Sequence, residues 1–415
     1  MINSRNIIRR TIFEEIVKYI MTNDVIVLHG ARQVGKTFIL YYLEKYLKQE
    51  KRSVYYLDLE DSRNRDILEA GVDEFIKHLA EQGFDPQKAN DKIYVLVDEI
   101  QYLSNPSSFL KLIADHQRGI KLIVSGSSSF AIKSKFKDSL VGRTVNFEIY
   151  PLSFAEFLTF KNYSYNQATL KKDDLTLKKR EELMALFKEY VLHGGYPKIV
   201  LENDLELKEK YLQQIIDTYI KKDIRDLARI KDVDKFNKLV EVLASQSGNL
   251  LDISELSNTC NLAKRTVENY LFILENTYLI KLVKPYHKNI RSELFKTPKV
   301  FFYDSGLMQM IWLKQLQRRI MGNVLETAVF GELVKRYGQG SVQYWRTTDK
   351  KEIDFILKLK NKIIPLEVKL NFGQFNKTSL EYFCDKYQIK DYLVIALEGE
   401  VVNKKFIYPW SLYFN

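Results

Sequence analysis

Cysteine is nearly absent: Cys260 and Cys384 are the only two in 415 residues. They lie far apart, with no His or Cys at ligand spacing, which excludes a disulfide framework and a zinc site of sequence-recognisable type. No stretch approaches the roughly 18 uncharged apolar residues a membrane helix needs, so no membrane partner is expected. The first residues carry Arg5, Arg9 and Arg10 and then Glu and Lys in place of an apolar signal core, and a reducing cytoplasm is the expected compartment. Internal repeats and low-complexity tracts are missing as well. What is present is ordinary globular material, 46% hydrophobic and 28% charged, in a chain long enough for about three domains. Basic residues outnumber acidic ones, 64 to 53, and the resulting net charge of +11 favours an anionic partner, nucleic acid or nucleotide, without choosing between them.

Apolar runs at Val25–Leu28, Val54–Leu57, Ile93–Val97, Leu122–Val124 and Val145–Tyr150 alternate with amphipathic stretches. Continuous apolar strands separated by helices predict an α/β domain around a buried parallel sheet. From Ser153 to about Val240 the pattern is helical only, interrupted by His193-Gly194-Gly195-Tyr196-Pro197. Two short helices around Asn261 follow, and strands return beyond Pro298 beside a long helix at about 322–337. The expected division is an ATPase domain of P-loop type over 1–155, a helical lid over 156–240, a winged-helix module over 241–290 and an α/β, restriction-endonuclease-like domain over 291–415.

Gly30-Ala31-Arg32-Gln33-Val34-Gly35-Lys36-Thr37 fits G-x-x-x-x-G-K-[ST], between a strand ending at Leu28 and a helix that continues through Phe38. The chemistry follows from the residue types. Glycines let backbone N–H groups wrap a phosphate, Lys36 reaches the β- and γ-phosphates, and the Thr37 hydroxyl coordinates Mg²⁺. Ile93–Val97 then delivers Asp98 and Glu99 at the end of a buried strand. Asp98 is expected in the Mg²⁺ shell and Glu99 as the base that orients water, although the same pair could cap the next helix. Ser125 and Ser127 tip the following strand and are candidates for sensing the γ-phosphate, or belong to a common serine-rich turn. Arg143 is a candidate for stabilising developing charge, in cis or from a neighbouring subunit, or is an exposed helix-end arginine.

This motif order resembles AAA-type and signal-transduction P-loop ATPases, which the resemblance endows with ATP, Mg²⁺ and a helical lid. Gly195-Tyr196-Pro197 looks like the Gly-x-Pro of the latter group. Ile149–Phe157 and the tract near Tyr196 are similar to a large bacterial and archaeal family of AAA ATPases with a C-terminal domain of uncharacterised role.

Leu251 to Leu274 reads as helix, tight turn, helix. Val267, Tyr270, Leu271 and Leu274 form the packed face, leaving Lys264, Arg265, Thr266 and Asn269 where helix-turn-helix proteins touch base edges. Between Lys264 and Lys299 eight basic residues face three acidic ones. DNA is therefore the expected macromolecular partner, with a purely structural joint as the alternative.

Ile353–Leu359 and Lys362–Leu370 flank Lys360-Asn361, a length suited to a two-residue turn. That turn sets Asp354 directly opposite Glu367, with Lys369 on the same face. Opposed like charges destabilise a strand pair unless something neutralises them, and a divalent cation would do so. An Asp followed by Glu-x-Lys on the next strand is the constellation of the PD-(D/E)xK nuclease fold. There the two carboxylates would bind Mg²⁺, the lysine would position water, and Glu326 would complete the site, with Glu332 as a substitute. Ile353 replaces the motif's proline. An exposed solvated hairpin and a nuclease fold kept only for binding are the alternatives.

The expected activity is Mg²⁺-dependent ATP hydrolysis coupled to DNA binding and phosphodiester cleavage. The alternatives are an ATP-dependent switch or scaffold without cleavage, and an ATPase that remodels proteins. No coiled coil or interface stripe announces an oligomer, and a homo-oligomer stays open.

Overall fold

The computed structural model describes residues 7–88, 91–126, 140, 142–165, 175–218, 230, 232–287, 297–360 and 362–413. The chain divides into two compact units, residues 1–150 with 276–278, and residues 151–275 with 279–415.

The first unit is built on five parallel strands, β1 (Val25–Gly30), β2 (Val54–Asp58), β3 (Ile93–Asp98), β4 (Ile120–Gly126) and β5 (Thr144–Ile149). Their order is β2-β3-β4-β1-β5. Every residue of β1, β3 and β4 is buried, which is why these strands read as unbroken apolar runs. Around them lie α1 (Phe13–Val17), α2 (Lys36–Gln49), α3 (Ser62–Glu69), α4 (Val72–Glu81) and α5 (Pro106–His116). Asn105 starts α5 by accepting from Ser108 N, with Pro106 in the first turn where its missing N–H costs nothing. Because the strands are parallel, one end of the sheet collects all their C-termini, and Gly30, Asp98 and Gly126 meet there.

The second unit opens with α6 (Phe154–Phe160), whose Ser153 and Glu156 form a capping box. It continues with α7 (Leu177–His193), α8 (Pro197–Leu201), α9 (Leu205–Ile215), α10 (Val233–Ser245), α11 (Ile253–Cys260) and α12 (Lys264–Asn276). Asp252 caps α11 by accepting from Ser254 N and Glu255 N, and Asn261 adopts the left-handed conformation that ends it. Antiparallel strands β6 (Ile280–Val283) and β7 (Lys299–Phe302) follow, then α13 (Ser305–Leu313) and α14 (Gly322–Tyr337).

The His193–Pro197 segment packs within this unit at very short range. A Cβ on Gly195 would lie 2.3 Å from the Leu152 carbonyl, and one on Gly306 would lie 2.1 Å from that of His193. Gly195 N donates to Asp304 Oδ2 at 2.7 Å. Backbone proximity therefore accounts for Gly195, while Gly194 sits at φ 81° against the Asp304 carboxylate.

A second sheet closes the chain, with β8 (Val342–Arg346), β9 (Glu352–Lys358), β10 (Ile363–Asn371), β11 (Leu393–Glu398) and β12 (Phe406–Ile407) in the order β12-β11-β10-β9-β8. The first three are antiparallel neighbours, while β11 runs parallel to β10 after the crossover helix α15 (Thr378–Tyr387). Stacked Phe301 and Phe330, with Phe355 beside them, join β7, α14 and β9 in one core. Among the described residues no helix is long and apolar enough to cross a membrane.

Candidate nucleotide and carboxylate sites

The loop from Gly30 to Thr37 leaves the C-terminal end of β1 and enters α2. Gly35 caps that helix at φ 97° and Gln33 sits at φ 60°, so the loop turns through two left-handed residues. Only glycine fits at position 30, because a Cβ there would lie 2.0 Å from the Ile149 carbonyl on β5. Lys36 is buried, and its amine donates to Ala31 O at 2.7 Å and Gly30 O at 3.2 Å. Burial pulls its pKa down to about 8, against the opposing pull of Glu99 and Asp98. Among the described residues its amine makes no ion pair and its hydrogen bonds go to loop carbonyls, with Glu99 and Asp98 acting on its charge from farther away. Thr37 is half-buried at the helix start, Arg32 is half-buried, Gln33 is exposed, and Ala31 and Val34 are buried. Phe38 is 55% exposed, with its ring 6.1 Å from that of Tyr41.

Asp98 is buried at the tip of β3, where its Oδ1 accepts from the Ser125 hydroxyl and from Glu99 N, and its Oδ2 accepts from Tyr56 OH at 3.2 Å. Ser125 is thus committed to orienting Asp98. Glu99 is held in the left-handed region at φ 56°, ψ 46°, a strained backbone for a residue with a Cβ, and Gln101 donates its amide to Glu99 Oε2. Ser127 lies outside the described residues.

Arg143 is not brought to this site. It precedes β5 and accepts from Val25 N through its carbonyl, which puts it at the strands' N-terminal end, about 20 Å of strand rise from Gly30. Its guanidinium pairs with Asp115 at 2.6 Å. The parallel sheet rules out the cis role, since Arg143 enters a strand whereas the loop leaves one. Conversely, Arg10 supports the loop without any motif to announce it, donating to Val34 O at 2.7 Å and Tyr150 O at 3.0 Å from a buried position. Tyr278, itself part of this unit, lies 2.6 Å from His29 Nδ1 and 3.0 Å from Glu148 Oε1. The only sign of Arg10 in the sequence was a basic N-terminal cluster.

On the second unit, β9 and β10 pair Ile363 with Lys358 and Leu366 with Phe355, the register that a two-residue turn requires. Asp354 and Glu367 accordingly come together. Lys369 Nζ lies 2.6 Å from Glu367 Oε2 and 3.3 Å from Asp354 Oδ2, and Asp354 Oδ2 also accepts from Val368 N at 2.8 Å. Burial and then Asp354 raise the pKa of Glu367, with Lys369 opposing. Burial works against the charge on Lys369, but Asp354 and Glu367 outweigh it and hold its pKa above the ordinary lysine value. Glu326, from α14, belongs to the same cluster: burial and then Asp354 raise its pKa, and its Oε1 is buried without a hydrogen bond among the described residues. Two residues that sequence reasoning missed complete the surroundings, Lys299 of β7 and Glu352 of β9. Glu332 points elsewhere, accepting from Tyr190 OH and Phe154 N, and is structural.

Among the described residues no three acidic, histidine or cysteine side chains gather tightly enough to form a ready-made metal cage. The donor set nevertheless suits a hard cation. Two carboxylates already share an ammonium, and a third presents a buried oxygen without a hydrogen bond.

On α12, Val267, Tyr270, Leu271 and Leu274 are buried, while Lys264, Arg265 and Asn269 are exposed and Thr266 is half-buried.

Residues 22–158 match the family model of an AAA domain, and residues 184–318 and 321–413 match two domains of unknown function, DUF8612 and DUF4143. An uncharacterized protein of Haemophilus influenzae is 28% identical over 368 residues, spanning 87% of this chain and 86% of the relative. One from Methanocaldococcus jannaschii is 26% identical over 365 residues, spanning 86% and 77%. The solved Walker-type ATPase of Pyrococcus abyssi aligns with 73% of this chain and 95% of its own, at 15% identity and a TM-score of 0.46. The segment that carries the phosphate loop and the acidic strand is thus the one that matches an AAA domain, residues 22–158.

Proposed function

We propose that the protein binds and hydrolyses ATP with Mg²⁺ in its first unit, engages duplex DNA through α12, and cleaves phosphodiester bonds at Asp354, Glu367 and Lys369. The observation that carries the first part is the Lys36 amine, buried with only carbonyl partners and within electrostatic reach of Asp98 and Glu99. In this reading the loop N–H groups of 31–37 cradle the phosphates, Thr37 and Asp98 hold the metal, and Glu99 accepts a proton from the attacking water. Bound Mg²⁺ supplies charge neutralisation at the phosphates. Ser125 and Tyr56 fix the Asp98 carboxylate, and Phe38 offers an exposed ring beside the loop.

The DNA part of the reading treats residues 241–290, which hold α11, α12 and β6, as a winged-helix module, with Lys264 and Arg265 on backbone phosphates. The remaining assignments keep the proposed division, a helical lid over 156–240 and a nuclease-like domain over 291–415. The antiparallel β8-β9-β10 meander with its parallel fourth strand, together with Glu326 on the preceding helix, supports that last assignment. There Asp354 and Glu367 hold a divalent cation and Lys369 orients water.

A second reading, an ATP-dependent switch whose nuclease-like domain only docks a partner, is favoured by one fact: Lys369 already ion-pairs with both carboxylates. Incubation of supercoiled DNA with Mg²⁺ or Mn²⁺ separates the two. Nicking that Lys369→Ala loses while keeping its ATPase activity establishes cleavage, and absence of nicking by the parent protein establishes the switch.

A further inference from the structure

The four carboxylates of this cluster, Asp354, Glu367, Glu326 and Glu352, are answered by two lysines and by Arg346, whose guanidinium lies 2.9 Å from Glu352 Oε2. Lys369 serves Asp354 and Glu367. Lys299, the first residue of β7 and 3% exposed, lies 2.6 Å from Glu352 Oε1 and 3.5 Å from Glu326 Oε1, with the Tyr344 ring 5.6 Å away. Four acids thus fall into two pairs, each holding one ammonium, with Glu352 also paired to Arg346 through its other oxygen. The two lysines differ in origin. All four acids and Lys369 lie within 321–413, whereas Lys299 comes from the preceding segment 184–318.

A buried ammonium is costly unless its hydrogens are taken up, and Lys299 satisfies this with the acids that a second cation would use. Its bond goes to Glu352, while Glu326 Oε1 keeps an open acceptor beside it. Sites that cleave phosphodiesters often place two metal ions about 4 Å apart, clamped by shared carboxylates. Here one of two such positions is already filled by the protein's own charge.

We infer that Lys299 stands in for a second divalent cation, so that the carboxylate site takes up one metal ion and not two. The inference rests on the reading in which Asp354 and Glu367 bind a divalent cation. It makes the site composite, because the β7 strand outside 321–413 sets its metal count. Glu326 is then shared, 3.5 Å from Lys299 and within electrostatic reach of Asp354.

Titration of the nucleotide-free, full-length protein with Mn²⁺, followed by calorimetry and by the electron paramagnetic resonance signal of free Mn²⁺, tests this. The parent protein takes up one ion, which Asp354→Asn removes. Lys299→Met takes up two, or binds its first at least tenfold more tightly, and Lys299→Arg behaves as the parent. Lys299→Gln retains a donor to Glu352 and gives the same answer as the methionine variant if that variant fails to fold. Identical number and affinity in the parent and in a folded Lys299→Gln overturn the inference. Should the parent bind no Mn²⁺, the metal-site reading fails on its own account. An ion gained by Lys299→Gln would then still support the role of Lys299, and none gained would end it.

Discussion

Arg143 pairs with Asp115 at 2.6 Å, at the end of the parallel sheet opposite the loop that carries Lys36. An arginine so placed cannot touch a phosphate held by its own chain. Arg143→Ala is therefore expected to leave ATP affinity, measured by calorimetry on dilute protein, within about twofold of the parent. A tenfold loss would mean that the arginine acts in cis after all.

Ser125 donates its hydroxyl to Asp98 Oδ1, so its function is read through the carboxylate. Removing a group that orients a metal ligand typically costs about 10- to 100-fold in metal affinity or activity. Ser125→Ala should lower Mg²⁺-dependent turnover by at least about tenfold while nucleotide affinity measured in EDTA stays unchanged. Equal loss in both measurements would show that Ser125 contacts the nucleotide directly.

Gly195 approaches the Leu152 carbonyl so closely that a methyl group cannot be accommodated without moving backbone. Gly195→Ala should destabilise the second unit by about 2 kcal/mol or more in denaturant melts. Gly322→Ala, where a Cβ meets nothing within 4 Å, serves as the comparison and should be neutral or slightly stabilising.

Lys121 is buried on β4, where its amine donates to Asp24 O and to Thr22 O and Oγ1. Burial, reinforced by Lys92, pulls its pKa down to about 8, below the 10.5 of an unfolded lysine. Between those values the unfolded chain binds more protons than the folded one, so this lysine's contribution to stability rises with pH from about 8 to 10.5 and is at its least favourable below. The unfolding midpoint of the parent minus that of Lys121→Met should therefore climb across that window. A flat difference would show that the amine is as well solvated as in the unfolded chain.

Much of this was legible in the sequence, for local reasons. The loop at 30–37 is a contiguous motif, and the apposition of Asp354 with Glu367 follows from a two-residue turn and the period of a strand. The packed face of α12 follows from helical spacing. What escaped depends on contacts distant in sequence. Arg10 reaches Val34 and Tyr150, and Lys299 reaches Glu326 and Glu352, with no pattern to connect them. Ser125 was legible as a polar strand tip, but its choice of Asp98 over a ligand is set by the neighbouring positions of β3 and β4. The position of Arg143 was within reach of the sequence, because a residue entering a parallel strand and a loop leaving one must sit at opposite ends of the sheet.

All of the proposed chemistry begins with a triphosphate seated against Lys36, and calorimetric titration of MgATP into the parent protein and Lys36→Ala tests that most directly. Saturable binding by the parent, weakened at least about 100-fold in the variant, is the expected result, corresponding to roughly 2.7 kcal/mol. Equal affinity in the two proteins, or no binding by either, would contradict it.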